Sequence, residues 1–315
     1  MKKTKLLLLF PFLSLMAVSA LTGCAKKTTI GICQLVQHEA LDAATKGFMD
    51  AVKEQMPEVR FDLQNAAGDS GTCVTIANSF RNKNVALIMA NATPALQAAA
   101  NSTTTIPILG TSVTEYGVAL DIDNFSGTVG GNISGTSDLA PLTEQAQMIV
   151  DVFPSASRVG LLYCSAEANS LYQVQVVEQE LQSKGLTTTR MSFADSNDIS
   201  AVLNGNIGNI DVLYVPTDNQ CASNVSTINS VCSSHSVPVV AGEEGLCKGC
   251  GTITLSISYY SLGFKTGQMA VEILKEGKDI STMPIAYDEN PVKKYNPSIC
   301  EALGVTVPEG YTPIE

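Results

Sequence analysis

The chain is 315 residues long, 45% hydrophobic and 16% charged, with a formal net charge of −11. An acidic surface of this kind repels phosphate backbones, which argues against a nucleic-acid partner. The apolar content is ample for proper cores, and the length suggests two lobes or domains.

The first residues, MKKTK, are basic, and an apolar run over 6–20 is closed by Leu21-Thr22-Gly23 just before Cys24. A basic start, a short apolar core and a small-residue cleavage site make a secretory signal over 1–23. With the cysteine in that place, the segment resembles a bacterial lipoprotein signal. The resemblance implies cleavage before Cys24, lipid on its sulfur and on the new amino terminus, and a short tether over 24–28. The mature chain then has 315 − 23 = 292 residues, and losing three lysines moves its charge from −11 to −14. No later apolar run approaches the ~20 residues of a spanning helix. The chain is therefore expected outside the cytoplasm, anchored to the cell membrane through Cys24.

From residue 29 onward, short β-branched runs alternate with helical stretches. TIGICQL (29–35) precedes an amphipathic stretch over 41–52, VRFDLQNA (59–66) precedes 74–80, and VALIMAN (85–91) precedes 94–100, with IPILG (106–110) next. Each unit reads as strand, loop, helix, which implies a parallel sheet with right-handed crossovers. SGTVGGNISGTSD (126–138) has no apolar periodicity and reads as a crossing between lobes. The rhythm restarts with a helix over 141–153. RVGLLYC (158–164), TTTRMSFA (187–194), DVLYVP (211–216) and VPVVAG (237–242) follow as strands of a second sheet, separated by helices around 171–183, 196–203 and 222–233. GTITLSIS (251–258), a helix over 260–275 and a polar tail complete the chain. The fold class expected is α/β, two Rossmann-like lobes with a cleft between them. In such sheets ligands bind beyond the carboxyl ends of the strands. The loops there, 34–39, 91–94, 111–117, 164–170, 216–220 and 242–245, are rich in hydroxyls, amides and carboxylates. That composition suits a small zwitterion, an acid for its ammonium and hydroxyls with helix-start amides for its carboxylate.

The combination Gln34-x-x-x-His38-x-x-Leu41-Asp42, Asn91-Ala92-Thr93-Pro94, Gly135-Thr136-Ser137-Asp138, Tyr163-x-Ser165-x-Glu167-x-Asn169-Ser170 and Pro216-x-Asp218-Asn219 resembles the tryptophan/tyrosine-type substrate-binding lipoproteins of ABC importers. The likeness runs from Ile30 to about Val307, with departures at Glu39, at Glu115-Tyr116 and over 245–251. It implies the type I periplasmic-binding-protein fold, with lobes joined by a three-segment hinge. The lobes are expected as 29–133 plus 258–282 and 134–257 plus 283–315. It also implies a monomer that delivers an aromatic amino acid (tryptophan, tyrosine or phenylalanine) to a membrane permease and its ATPase, without a cofactor or catalysis. The site residues carried over are Gln34, Thr93, Ser112, Ser137, Asp138, Tyr163, Ser165, Asn169, Asp218 and Asn219. Thr93 and the helix-start amides would hold the carboxylate, Asp218, alone or with Asp138, the ammonium, and Tyr163 or Tyr116 would offer a ring face.

Other readings stand beside this one. His38-Glu39 is not a zinc-protease motif, because Asp42 occupies the place of the second histidine; His38 reads as a lip of the cleft or a solvent-exposed side chain. Cys247 and Cys250 read as a local disulfide or two idle thiols, since a metal site needs four ligands and His235 has no partner spacing. Cys221 and Cys232 stand about 16 Å apart along one helix, beyond disulfide reach. A redox lipoprotein using Cys247/Cys250, or the same fold feeding a receptor as a ligand sensor, are the alternatives to import.

Overall fold

The computed structural model describes residues 28–288 and 290–314. The expected signal over 1–23, the lipidation site Cys24 and the tether residues 25–27 lie outside them. Among the described residues no helix is long and apolar enough to cross a membrane.

Among the described residues thirteen strands make two sheets, one per lobe. The first contains β1 (Thr29–Gln34), β2 (Arg60–Asn65), β3 (Leu87–Asn91), β4 (Ile108–Val113), β5 (Ile133–Ser137) and β11 (Ala286–Tyr287), in the order β11-β5-β4-β3-β1-β2. All its pairs are parallel. The second contains β6 (Arg158–Cys164), β7 (Thr187–Phe193), β8 (Val212–Val215), β9 (Val239–Ala241), β10 (Ile253–Ser256), β12 (Val292–Tyr295) and β13 (Thr312–Pro313), in the order β13-β12-β10-β9-β8-β6-β7. Only β10 with β12 is antiparallel there.

Helices cover both faces of each sheet, so the central strands are buried on both sides and read as continuous apolar runs. Along β1 the side chains alternate. Ile30 and Ile32 join Phe48, Met89 and Leu109 on one face, and Cys33 joins Phe80, Ile88 and Leu96 on the other. The second sheet is filled in the same way, with Leu161 and Tyr163 on one face and Leu162 and Cys164 on the other.

Strand membership departs from the expected division at two places. β5 runs through the expected boundary at 133/134, and β11 lies beyond 282, yet both belong to the first sheet. The crossings between sheets therefore fall at 138–141 and 257–258, with a third between β11 and β12. Residues 126–138 looked like a linker because β5 presents hydroxyls where a strand usually presents alkyl groups. Ser134 Oγ donates to the Met283 carbonyl at 2.9 Å, and Thr136 Oγ1 sits 3.1 Å from Thr111 Oγ1 and 2.9 Å from Thr266 Oγ1. Gly135 is required at its centre. Its φ is +149°, and a Cβ there would stand 2.1 Å from the Gly110 carbonyl oxygen.

Two further differences concern helix starts. The helix expected from 171 begins at Ala168 and runs to Ser183, and a short helix Asn219–Ala222 precedes the one at Val225–Ser234. Both earlier starts bring polar residues of the strand-end loops into a first helical turn, facing the cleft.

Candidate functional site

On the first-lobe wall, β1 ends at Gln34, and its side chain is fully engaged inside the lobe. Nε2 donates to the Val36 carbonyl at 2.9 Å and to Asp42 Oδ1 at 2.7 Å, while Oε1 accepts from Thr45 Oγ1 at 2.7 Å. Gln34 is thus a buried brace between β1 and the helix Glu39–Gln55. Ser137 braces the first crossing, its Oγ donating to the Thr114 carbonyl at 2.7 Å and accepting from the Leu139 amide at 3.1 Å. Three neighbours differ. Thr93 Oγ1, in the first turn of the helix Thr93–Ser102, is buried without a hydrogen-bond partner, as is Ser112 Oγ near the end of β4. Ser112 also holds a φ of +53°. Asp138, directly after β5, accepts from Tyr259 Oη at 2.8 Å with Oδ2, and its Oδ1 has no partner. Burial raises its pKa.

On the second-lobe wall, both oxygens of Asp218 are taken by backbone amides. Oδ2 accepts from Cys164 N at 2.7 Å and Oδ1 from Cys221 N at 2.8 Å, which ties the ends of β6 and β8 and caps the helix Asn219–Ala222. Glu167 Oε2 accepts from Asn219 Nδ2 at 2.6 Å and Asn169 Nδ2 at 3.2 Å, and Oε1 from Gln220 N at 3.1 Å. Its pKa is pushed up to about 8, first by burial and then by the charge of Asp218. Asn169 commits its Nδ2 also to the Thr217 carbonyl at 3.0 Å, which aims an unpartnered Oδ1 away from those bonds. Glu243, after β9, caps the helix Glu244–Cys250 through the Gly245 and Leu246 amides. Burial pushes it up to about 7.

Ser112, Asp138, Asn169, Asp218 and Asn219 line one cavity between the lobes, together with His38, Glu243 and Tyr259. All of these stand at or just beyond the carboxyl end of a strand, as the topology demands. The other site residues expected from sequence do not line it. Gln34 and Ser137 are braces, and Thr93 lies behind the wall. Tyr163 packs in the second lobe's core among Leu161, Val174 and Val177. Ser165 is exposed and donates to the Phe193 carbonyl at 3.1 Å. Tyr116 is buried behind β5 with its hydroxyl on the Thr136 carbonyl at 3.1 Å. The ring at the cavity is Tyr259, from the helix after β10. Glu167, Glu243 and Tyr259 were missed, although two of them stand in strand-end loops and carry charge. Among the described residues, four of six buried, unpartnered side-chain atoms belong to Thr93, Ser112, Asp138 and Asn169.

The rims touch. His38 Nε2 lies 3.3 Å from Asn219 Oδ1, Gln220 Nε2 donates to the Gly68 carbonyl at 3.0 Å, and Lys248 pairs with Glu39 at 3.3 Å. His38 is thus a lip residue, and burial lowers its pKa. The disulfide considered for Cys247 and Cys250 is not formed: both thiols are free and buried. They stand on successive turns of the helix Glu244–Cys250. Cys247 points into the core, and Cys250 Sγ donates to the Leu246 carbonyl at 3.3 Å.

Two mostly parallel sheets facing each other across a polar cleft define a type I periplasmic-binding fold with a ligand site between its lobes. The chain belongs to the ABC transporter substrate binding protein family, whose description matches residues 29–312. It is 33% identical over 309 residues to a tyrosine-binding protein of Clostridioides difficile (strain R20291), covering 90% of this chain and 88% of that one. It superposes with a TM-score of 0.86 and 28% identity on the ABC domain in complex with L-Trp from Streptococcus pneumonia, covering 91% of this chain and 100% of that one. Against the ligand-free, open structure of a substrate-binding protein with adhesive properties from Clostridium difficile, the TM-score is 0.68 at 34% identity, covering 91% and 99%. Higher agreement with the ligand complex than with the open form accords with the rim contacts seen here.

Proposed function

We propose that this chain captures an aromatic amino acid, tyrosine or tryptophan foremost, and delivers it to an ABC permease and its ATPase. In this reading Cys24 carries the lipid that anchors the protein outside the cytoplasm. The observation that carries the ligand class is the set of buried polar atoms left without partners on both walls. Buried polar groups are nearly always hydrogen-bonded. Oxygens at Asp138 and Asn169, with the hydroxyl at Ser112, all lining the cavity, are therefore suited to a ligand that brings donors and acceptors of its own. Asp138 Oδ1 and Asn169 Oδ1 take the ammonium. The Ser112 hydroxyl takes the carboxylate. The ring lies against Leu41, Ala222 and Tyr259, which also line the cavity. The ammonium thus passes from Asp218, whose oxygens are both committed, to Asp138. The names of the relatives supply the aromatic side chain.

Calorimetric titration of residues 25–315 with tyrosine, tryptophan and phenylalanine tests this. Saturable one-to-one binding is expected, together with no binding of 3-(4-hydroxyphenyl)propionate, which lacks the ammonium. The chain contains no tryptophan, so the fluorescence of added tryptophan is a second readout. Absence of heat with all three amino acids overturns the ligand class.

A further inference from the structure

We propose that Glu167 is a positioning residue for closure: its buried carboxyl group sets the Asn169 oxygen that meets the ligand and two second-lobe side chains, Asn219 and Gln220, that meet the first lobe. The ligand half of this rests on the amino-acid capture proposed above. Glu167 is the N-cap residue of the helix Ala168–Ser183, yet its side chain makes no cap bond to that helix. An N-cap side chain ordinarily closes its own first turn. This one crosses instead to the start of the helix Asn219–Ala222. There Oε2 accepts from Asn219 N at 3.2 Å and Asn219 Nδ2 at 2.6 Å, and Oε1 accepts from Gln220 N at 3.1 Å. Asp218 already caps that short helix through the Cys221 amide, and capping needs no bond to a side chain such as Asn169 or Asn219.

What those side-chain bonds fix is aim. An amide side chain has a donor end and an acceptor end, so an asparagine whose Nδ2 is held by Glu167 turns its Oδ1 the other way. For Asn169 this leaves a buried, unpartnered Oδ1 on a residue that lines the cavity. For Asn219 it sends Oδ1 across the cleft to within 3.3 Å of His38 Nε2. His38 therefore meets it as the Nε2–H donor. Gln220, held at its backbone amide, extends Nε2 to the Gly68 carbonyl at 3.0 Å. The ligand seat and two rim contacts thus share one anchor, and seating a ligand and closing the rim draw on the same fixed geometry.

Two variants separate aim from packing. Glu167→Gln keeps an accepting oxygen for Asn169 and Asn219 but sets a donor against the Gln220 amide. Glu167→Ala removes both oxygens. The chain has two histidines, so nitrogen NMR of protein grown on isotope-labelled histidine resolves His38, assigned by its loss in His38→Ala. Recorded with and without tyrosine, the spectra should show the Nε2–H tautomer of His38 in the wild type and in Glu167→Gln. Glu167→Ala should average the tautomers, with His235 unmoved throughout.

Calorimetric titration with tyrosine is the second readout. Glu167→Gln should weaken binding by a few fold, and adding Gln220→Ala to it should weaken binding no further, although Gln220→Ala does so alone. Glu167→Ala should weaken binding by about tenfold. Additive losses in the Glu167→Gln/Gln220→Ala pair overturn the proposal. So does a His38 signal unchanged in Glu167→Ala, or one averaged in the wild type both with and without tyrosine. If Glu167→Ala does not fold, the Glu167→Gln cycle decides. A wild type that binds no aromatic amino acid overturns the capture reading instead, and the His38 spectra then decide whether Glu167 sets the rim.

Discussion

Asp138 bonds Tyr259 with one oxygen and leaves the other bare. An ammonium seated there favours the ionised acid, whereas burial favours the neutral one. Affinity is therefore full above the raised pKa of free Asp138 and falls as pH drops through it. Calorimetry over a pH series should show this fall, and Asp138→Asn should abolish it while weakening binding by about 10- to 100-fold, roughly 1.4–2.8 kcal/mol. Asp218 has the opposite character. Asp218→Ala strips the acceptor from two buried amides, so denaturant unfolding should show a loss of about 1–3 kcal/mol. Weakened binding without that loss would return the ammonium to Asp218. Glu167 and Glu243 titrate near 8 and 7 in the fold against an ordinary value of 4.5. Since the folded state binds the extra protons, the stability they lend is complete below about 4.5 and is lost as pH rises through 7 to 8. The melting temperature should accordingly decline over that window, and less steeply in Glu243→Gln.

The two helices on the outer face of the first sheet, Glu39–Gln55 and Tyr259–Glu276, pack backbone to backbone. A Cβ on Gly263 would lie 1.9 Å from the Ala44 carbonyl oxygen, and one on Gly47 would lie 2.1 Å from that of Tyr260. This contact sets where the helix start carrying Tyr259 stands relative to His38, so it also shapes the cavity. Gly263→Ala should destabilise the fold by about 1–3 kcal/mol through overpacking, measured by thermal or denaturant unfolding. A neutral result would show that the helices part without penalty. At this scale the sequence was legible wherever apolar periodicity met a strand–helix rhythm, as in β1, β3 and β6. It was illegible at β5, where Ser134 and Thr136 find partners on Met283, Thr111 and Thr266 that no local pattern announces.

The described residues form two sheets linked by three crossings, with rims held by side chains far apart in sequence. Lobes joined in this way close by hinge motion, and a ligand that touches both walls shifts the population toward the closed form. Small-angle scattering should show a smaller radius of gyration on adding tyrosine or tryptophan. Gln220→Ala, which removes the bond to Gly68, should weaken binding by a few fold while leaving unfolding unchanged. Unaltered affinity in that variant would mean the rim contact contributes nothing to closure.

Strand–helix alternation and short apolar runs are local properties, and they determined the α/β class, the two lobes and the strand-end position of the cleft from the sequence alone. The family resemblance, carried over onto the strand-end loops, brought Ser112, Asp138, Asn169, Asp218 and Asn219 to notice, along with Gln34, Thr93, Ser137, Tyr163 and Ser165, which do not line the cavity. Which of these acids is free to meet a ligand depends on partners distant in the chain. The Cys164 and Cys221 amides satisfy Asp218, whereas Tyr259, arriving from a helix more than a hundred residues later, satisfies only half of Asp138. The tertiary structure alone decided that, because a carboxylate's bonding is completed by whatever the fold brings beside it.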